Sequence, residues 1–215
     1  MKKFVVSVSL LVLGVLGWHF GVAPLLRHAP ADESNVTPTI DELRVMSRED
    51  RLAIRNVVLP MFANMPDTTV NEALPSSVSG TSSASVAGSV GVSDPYEVYA
   101  AGAFVGVDTS RHGSGHAIVY VLPEGDHLLR IEAFSVTNGP ELRVLLSEVP
   151  APRDEVELSQ GATVDLGLLK GNRGSQNYGI GGAAPLENMR SVVIYSPLFE
   201  TVYAVATLHN EVIGK

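Results

Sequence analysis

The sequence predicts an all-β domain at residues 95–215, an antiparallel β-sandwich or barrel-like sandwich, preceded by one amino-terminal transmembrane helix and a short helical segment. Five or six short apolar runs in that region alternate with a period of two or are apolar on both faces. Loops rich in Gly, Pro and Asn separate the runs, and no helical periodicity lies between them. Such a succession of short strands is typical of sandwiches and barrels.

Composition limits the classes of function. The 215 residues, 45% of them hydrophobic, suffice for one domain of ordinary size with an anchor or linker. Because Lys2, Lys3 and Arg27 lie at the amino terminus, the rest of the chain holds only 12 of the 15 basic residues against all 23 acidic ones. Such a surface repels phosphate backbones, so no nucleic-acid partner is expected. The absence of cysteine excludes disulfides, cysteine acylation and thiolate metal ligands.

Residues 1–27 are predicted to form a signal anchor, a single transmembrane helix. The stretch from Phe4 to Ala23 carries no formal charge, and a helix of that length spans about 30 Å, the thickness of the hydrocarbon core of a bilayer. The lysines before it should remain cytoplasmic, which places the carboxyl-terminal domain in the periplasm or at the cell surface. The alternative is a cleaved signal peptide, because "APA" at 29–31 has the spacing of a cleavage site. Its distance from the apolar run favours the uncleaved anchor.

Residues 28–65 are predicted to be a juxtamembrane spacer with short helices. Two pairs of residues have the spacing of a capping box: Thr39 with Glu42, and Ser47 with Asp50. We expect the second helix to end before Pro60, because proline lacks the amide that a helix interior requires.

Residues 66–94 are predicted to be a linker. Ser, Gly, Val and Ala dominate this stretch, and its second half carries almost no charge. A flexible chain of this length reaches roughly 30 Å. It is expected to hold the β domain away from the bilayer.

The β-like runs differ in their expected burial. "GHAIVYVL" and "HLLRIEAF" are joined by a short Gly-containing loop and predict a hairpin. In the second strand Leu129, Ile131 and Ala133 should share one face. "SVVIYS" and "TVYAVATL" are apolar on both faces, which predicts that they lie in the middle of the fold.

No common catalytic motif is present, so enzyme activity is not predicted. The sequence has no G-x-S-x-G elbow, P-loop, H-E-x-x-H or EF-hand loop. His112 and His116 would lie about 13 Å apart on an extended strand, too far to share a metal ion. The neighbouring Asp126 and His127 are no evidence of a catalytic triad, because adjacency in sequence says nothing about geometry.

The most unusual segment is "VDLGLLKGNRGSQNYGIGG", residues 164–182. Because Asn and Gly tolerate positive φ, we expect a long loop of tight turns, within which Lys170 could pair with Asp165. The favoured interpretation is a self-bonded loop that bridges two sheets, and the alternative is a polar recognition surface beside a groove. The candidate binding residues are Lys170, Asn172, Gln176, Asn177 and Tyr178.

The carboxyl-terminal region resembles a known family. "GAFVGVDTSRHGSGHAIVYVL", "LLRIEAFSVTNGPELRVLLS", "VDLGLLKGNRGSQNYGI" and "SVVIYSPLFETVYAVATL" are similar, in order and spacing, to the blocks of the DM13 domain. The resemblance covers about residues 99–209. Its most specific parts are "LGLLKGNRGSQNY" and "TNGPEL", whose candidate turn residues are Asn138, Gly139 and Pro140.

The resemblance implies an extracytoplasmic all-β domain, proposed for the family to act in electron transfer or in oxidative modification of surface proteins. That role relies on a cysteine in the penultimate strand, as a free thiol or as a ligand to a prosthetic group such as haem. Here the matching run is "VVIYS", and Ser196 occupies the cysteine position. A hydroxyl does not replace a thiolate as a redox group or soft ligand at neutral pH, so haem is disfavoured as a cofactor.

Three hypotheses follow. The first is a binding or accessory module of an envelope system, with an envelope protein or a glycan as its partner. The alternative is residual redox activity, with haem-associated electron transfer. A third, weaker one makes Ser196 a nucleophile, but Pro197 follows it and no general base is identifiable.

Overall fold

The computed structural model describes residues 38–75, 96–123, 125–182 and 184–210, and they are mostly β. The strands are β1 Thr69–Asn71, β2 Glu97–Gly106, β3 Gly113–Val121, β4 His127–Val136, β5 Arg143–Ser147, β6 Thr163–Leu168, β7 Arg173–Ile180, β8 Ser191–Ser196, β9 Thr201–Thr207 and β10 His209–Asn210. The helices are α1 Ile40–Val45, α2 Arg48–Ala63 and α3 Glu155–Leu158, with a 3-10 turn at Leu186–Asn188.

All the described strands belong to one curled sheet, a half-barrel. Its order is β1-β7-β4-β3-β2-β9-β8-β5-β6, and β10 pairs with β2. Side chains from β3, β4 and β7 share one core cluster with those from β5, β8 and β9, because the sheet curls around them. The predicted β architecture is therefore confirmed. The expectation of a purely antiparallel sheet is wrong, since β1 pairs with β7 in parallel. These two strands are distant in sequence, so no tight turn sets their direction.

Strands β8 and β9 lie at the centre of the fold, as their double apolar faces predict. Val192 and Ile194 of β8 contribute to the main core cluster. Val193 lies on the opposite face in a second cluster, together with Val205 of β9 and Leu158 of α3. Both faces of this part of the sheet are thus covered by apolar side chains.

The hairpin β3–β4 is confirmed, but a bulge interrupts its alternation. Leu129 and Ile131 are 0% exposed, whereas Ala133 is exposed and has φ 46°. The expectation that Ala133 shares their face is therefore wrong, because the pairing register shifts between Ile131 and Phe134. On the neighbouring strand Gly115 has φ 106°, and a Cβ there would lie 2.6 Å from the carbonyl oxygen of Glu132.

Helices α1 and α2 begin where the capping signals predict. The Thr39 hydroxyl accepts from the backbone amide of Glu42, and the Glu42 carboxylate accepts from the backbone amide of Thr39, which is a capping box. The Ser47 side chain caps α2. The expected end before Pro60 is wrong, since α2 continues through Pro60 to Ala63. Phe62 explains the extension, because the last turn buries its ring against the β domain.

Both helices pack on the β domain. Leu43, Val58 and Phe62 form one buried cluster with Leu198 and Phe199, which lie in the turn between β8 and β9. Residues 40–63 of the predicted spacer are therefore packed as part of the fold.

The predicted linker begins with ordered structure. Residues 69–71 form β1, and the chain up to Ala73 lies beside β7. Composition did not reveal this strand, because its pairing partner lies about a hundred residues further along. Residues 76–94 lie outside the described part of the chain.

The expected long loop at 164–182 is wrong. The segment consists of strand β6, a short turn and strand β7. Two of its glycines have the positive φ that the composition suggested, Gly167 at 114° and Gly174 at 102°. Each lies within a strand, where it accommodates a local irregularity without ending the strand.

The predicted anchor, residues 1–27, lies outside the described residues. Among the helices that are described, none combines the length and the apolar character needed to span a bilayer.

The docking of α1 can be tested by truncating its one buried residue. Leu43→Ala should lower the free energy of unfolding by about 2–5 kcal/mol, because it leaves a cavity in a closed cluster. Val45→Ala on the same helix is the matched control: Val45 is 87% exposed, so a change within about 0.5 kcal/mol is expected. Urea unfolding of the two purified variants measures the difference. Equal effects would contradict the docking.

Candidate functional site

Ser196 is the last residue of β8 and is fully buried. It pairs with Thr201 of β9 and is 0% exposed. Its hydroxyl donates a hydrogen bond to the carbonyl oxygen of Pro140 at 2.6 Å. Two parts of the chain that the sequence analysis singled out, Ser196 and the "TNGPEL" turn, are therefore in direct contact.

The turn at residues 197–200 follows Ser196, and together they form what we call the Ser196 corner. Apolar side chains are buried there. Phe199 is 0% and Leu198 8% exposed, and the helices α1 and α2 cover both. The Arg51 guanidinium donates through Nε to the carbonyl oxygen of Leu198 at 2.9 Å and through a terminal nitrogen to that of Met46 at 2.6 Å. The helices are thus bound to the corner by backbone contacts as well as by burial.

Two ion pairs hold the helices at the same corner. Arg44 pairs with Glu141, and Arg48 pairs with Glu200. Both glutamates have positive φ, 48° and 50°, a conformation that costs a non-glycine residue of order 1–3 kcal/mol. The hydrogen bond from Arg48 lowers the pKa of Glu200, so this carboxylate stays charged well into the acid range. The ion pairs fix the two backbone positions that shape the corner.

The residues around Ser196 do not fit a thiol-dependent redox group or haem. The only side-chain donor atom at the family cysteine position is a hydroxyl oxygen, already bonded to the Pro140 carbonyl. A soft metal centre prefers sulfur or imidazole, and a macrocycle needs open space. Leu198, Phe199 and the helices occupy the surroundings.

The polar segment at 170–178 has two side chains that point into the domain. Gln176 is 0% exposed, and its amide donates to the Gly171 carbonyl at 2.6 Å. Its oxygen accepts from the backbone amide of Lys170 at 3.1 Å and from the Tyr178 hydroxyl at 2.9 Å. Burial raises the pKa of Tyr178 to about 12, so the phenol remains a donor. Gln176 and Tyr178 fasten the turn that precedes β7.

The other three candidate residues bind the chain's own residues 67–73. The Lys170 ammonium lies 2.8 Å from the Glu72 carboxylate, which also accepts from the backbone amide of Asn177 at 2.8 Å. The Asn172 oxygen accepts from the Thr68 amide at 2.7 Å. Whether this surface also binds another molecule stays a prediction.

The expected pairing of Lys170 with Asp165 is wrong. Asp165 instead pairs with Arg143 of the neighbouring strand at 2.6 Å, while Lys170 reaches Glu72. Sequence reasoning missed Glu72 because it lies in the predicted linker. One signal was available: the charges of that linker are concentrated in its first half.

The "TNGPEL" turn contacts the same amino-terminal segment. The Asn138 amide donates to the carbonyls of Met65 and Pro66 at 3.0 and 3.2 Å. A Cβ at Gly139 would lie 2.3 Å from the hydroxyl of Tyr203, so only glycine fits there. That hydroxyl is buried and has no hydrogen-bond partner among the described residues.

A polar cleft of about 500 Å³ lies between α2 and the loops beside β9. Its charged lining residues are mostly engaged already: Arg111 binds Asp108 and the Val202 carbonyl, and Arg153 binds the Val107 carbonyl. Arg55 also lines the cleft, and within the described residues it makes no hydrogen bond. The cleft therefore has one guanidinium available to a ligand that carries hydrogen-bond acceptors.

Three histidines of the β domain each contact a different partner. The His112 ring lies 2.7 Å from the Thr137 hydroxyl, His116 is paired in β3 with Glu132 of β4, and the His127 ring packs edge-on against Tyr99. No group of three His, Cys, Asp or Glu side chains suited to a metal ion occurs in the part of the chain that the structure describes.

A structural role for Gln176 predicts a large effect of its replacement. Gln176→Leu leaves the buried amide of Gly171 without its acceptor and removes one of two acceptors from the Lys170 amide and from the Tyr178 hydroxyl. A buried polar group left unsatisfied costs about 1–3 kcal/mol. The exposed Gln160 is the control, and Gln160→Leu should change stability by less than about 0.5 kcal/mol. Thermal unfolding compares the two variants. A Gln176→Leu chain as stable as the wild type would contradict this role.

Comparison with known proteins identifies the domain. The family model described as electron transfer DM13 matches residues 106–208, which include the Ser196 corner, the "TNGPEL" turn and the polar segment. Neither the search of curated proteins nor that of solved structures gave a match. Residues 106–208 of this chain are therefore a DM13 domain.

Proposed function

We propose that this chain is a membrane-tethered, extracytoplasmic binding or accessory module of an envelope system, in which the DM13 domain does not carry electrons through residue 196. The closed Ser196 corner is the observation that carries the proposal. Its hydroxyl is bonded to a carbonyl and its surroundings are filled by the chain's own helices. A DM13 scaffold without its reactive atom retains surfaces for binding.

The sequence supports the tether. The uncharged stretch from Phe4 to Ala23 is long enough to cross a bilayer, and the preceding lysines favour a cytoplasmic amino terminus. The partner on the outer side is an envelope protein or a glycan. The net acidic surface argues against anionic lipid and nucleic acid as partners.

A second candidate function is a residual redox role, and the family description favours it. In this form the chain itself is a haem-associated electron-transfer protein. The two candidate functions differ in what they predict for position 196: its accessibility to a reagent and its ability to support a redox group.

The closed corner predicts a slow thiol at position 196. Because the chain has no cysteine, Ser196→Cys introduces a single thiol at a fully buried site. Its reaction with an aromatic disulfide reagent should be at least about 100-fold slower than that of Val156→Cys, because it requires local opening. Val156 is 70% exposed and is the matched control.

An absorption spectrum completes the experiment. The wild type and Ser196→Cys, purified from a haem-replete host, should both be colourless and take up no haem on titration. A reactive thiol at position 196 together with a haem band that is reversibly reduced would contradict the proposal and establish the redox role.

The tether predicts a defined topology. Alkaline phosphatase fused after Lys215 should be active, because that enzyme folds only outside the cytoplasm, and the fusion should remain in the membrane fraction after alkaline extraction. A fusion that lacks residues 1–27 is the control and should be inactive. An inactive full-length fusion, with activity of a cytoplasmic reporter at the same position, would overturn the tethered topology.

A further inference from the structure

We propose that the outer edge of β7 is a peptide-binding site for an extended acidic segment of another protein, and that the chain's own residues 67–73 occupy this site in cis. The inference deepens the proposed binding function, on which it rests, by naming the chemistry of the partner. The site consists of the β7 backbone, the side chains of the polar segment at 170–178, and Arg130 of β4.

The backbone of β7 accepts the segment as a parallel strand. Thr69, Val70 and Asn71 pair in register with Arg173, Gly174 and Ser175. Beyond the strand, the Glu72 amide donates to the Ser175 carbonyl at 2.8 Å, and the Arg173 amide donates to the Thr68 carbonyl at 3.2 Å. Such strand addition binds any extended chain, so selectivity must come from side chains.

Two carboxylates of the bound segment, five residues apart, each have dedicated partners. At the first end Asp67 accepts from the Asn172 amide at 2.6 Å and from the Arg173 guanidinium. These bonds lower its pKa. An acidic residue at this position is therefore recognised by an amide and a cation together.

At the other end Glu72 is bound still more completely. Its carboxylate accepts hydrogen bonds from the Lys170 ammonium and from the backbone amide of Asn177, both at 2.8 Å. Arg130 donates to the Glu72 carbonyl at 2.9 Å, and the Asn177 side chain donates to the Ala73 carbonyl at 2.7 Å. The hydrogen bond from Lys170 lowers the pKa of Glu72.

Two glycines of the polar segment make room for the strand. A Cβ at Gly174 would lie 2.0 Å from the Val70 carbonyl oxygen. A Cβ at Gly171 would lie 2.6 Å from the Thr68 carbonyl oxygen and 2.9 Å from a Val70 methyl group. The edge is thus shaped for a backbone that lies against it and for an aliphatic side chain between the two acidic positions.

The acceptor residues belong to the domain, whereas the occupant does not. Residues 130 and 170–177 lie inside the family match at 106–208, and residues 67–73 lie before it. The site is therefore a property of the DM13 domain that this chain fills with an appended segment. A tethered segment acts at an effective concentration on the order of millimolar, so a foreign peptide binds the wild type only in competition with it.

The test uses the full chain and a fluorescein-labelled synthetic peptide with the sequence of residues 65–75. Two variants release the internal segment: Asp67→Asn with Glu72→Gln, which removes both charges, and Glu72→Pro, which removes a carboxylate and a backbone donor. Fluorescence anisotropy should show at least about tenfold tighter peptide binding by both variants than by the wild type. Circular dichroism and thermal unfolding confirm that both variants remain folded.

Two controls establish the acidic selectivity. A peptide in which the same Asp and Glu are replaced by Asn and Gln should bind the released variants at least about tenfold more weakly. Adding Lys170→Ala and Asn177→Ala to a released variant should abolish binding of the acidic peptide.

Three results would overturn the inference. If the released variants are folded but bind no peptide at millimolar concentration, β1 has only a structural role. Equal binding of the neutral peptide would remove the acidic partner class. Dimers of the wild type that the peptide dissociates would identify a second copy as the occupant. None of these results affects the thiol and topology experiments, so the two proposals fail separately.

Discussion

The carboxylate of Glu72 joins residues 67–73 to the DM13 domain. It accepts hydrogen bonds from Lys170 and Asn177, while its own backbone bonds to Ser175 and Arg130. These contacts hold β1 in register on the edge of the sheet. An exposed ion pair alone contributes little, but here it acts together with a strand pairing and with backbone donors.

The same segment continues from the edge of the sheet to the Ser196 corner. Asn138 holds the chain at Met65 and Pro66, and from there α2 and α1 extend back over Leu198 and Phe199. The residues that precede the family match thus cover both of its most specific motifs. This coverage is the structural basis of the binding function proposed above.

Much of the fold could be predicted because its signals are local. The double apolar faces of "SVVIYS" and "TVYAVATL" identify the central strands, and the capping pairs identify the helix starts. Three features depend on distant contacts, so no local pattern reveals them: the bulge at Ala133, the continuation of α2 through Pro60 and the strand at 69–71. In the candidate site, the hydrogen-bonding capacity of Lys170, Asn172 and Asn177 could be predicted from their side chains. Their partners, Asp67 and Glu72, could not be predicted, because they lie about a hundred residues earlier in a stretch with the composition of a linker.

The central claim is that residues 38–75 are part of the folded domain. Hydrogen–deuterium exchange on the full chain, read by mass spectrometry at peptide resolution, tests it most directly. Peptides containing the Leu43 and Val58 turns of the helices and the Glu72 amide should exchange much more slowly than an unfolded chain. Exchange of residues 38–75 at the rate of an unfolded chain, while β7 and β8 stay protected, would contradict it.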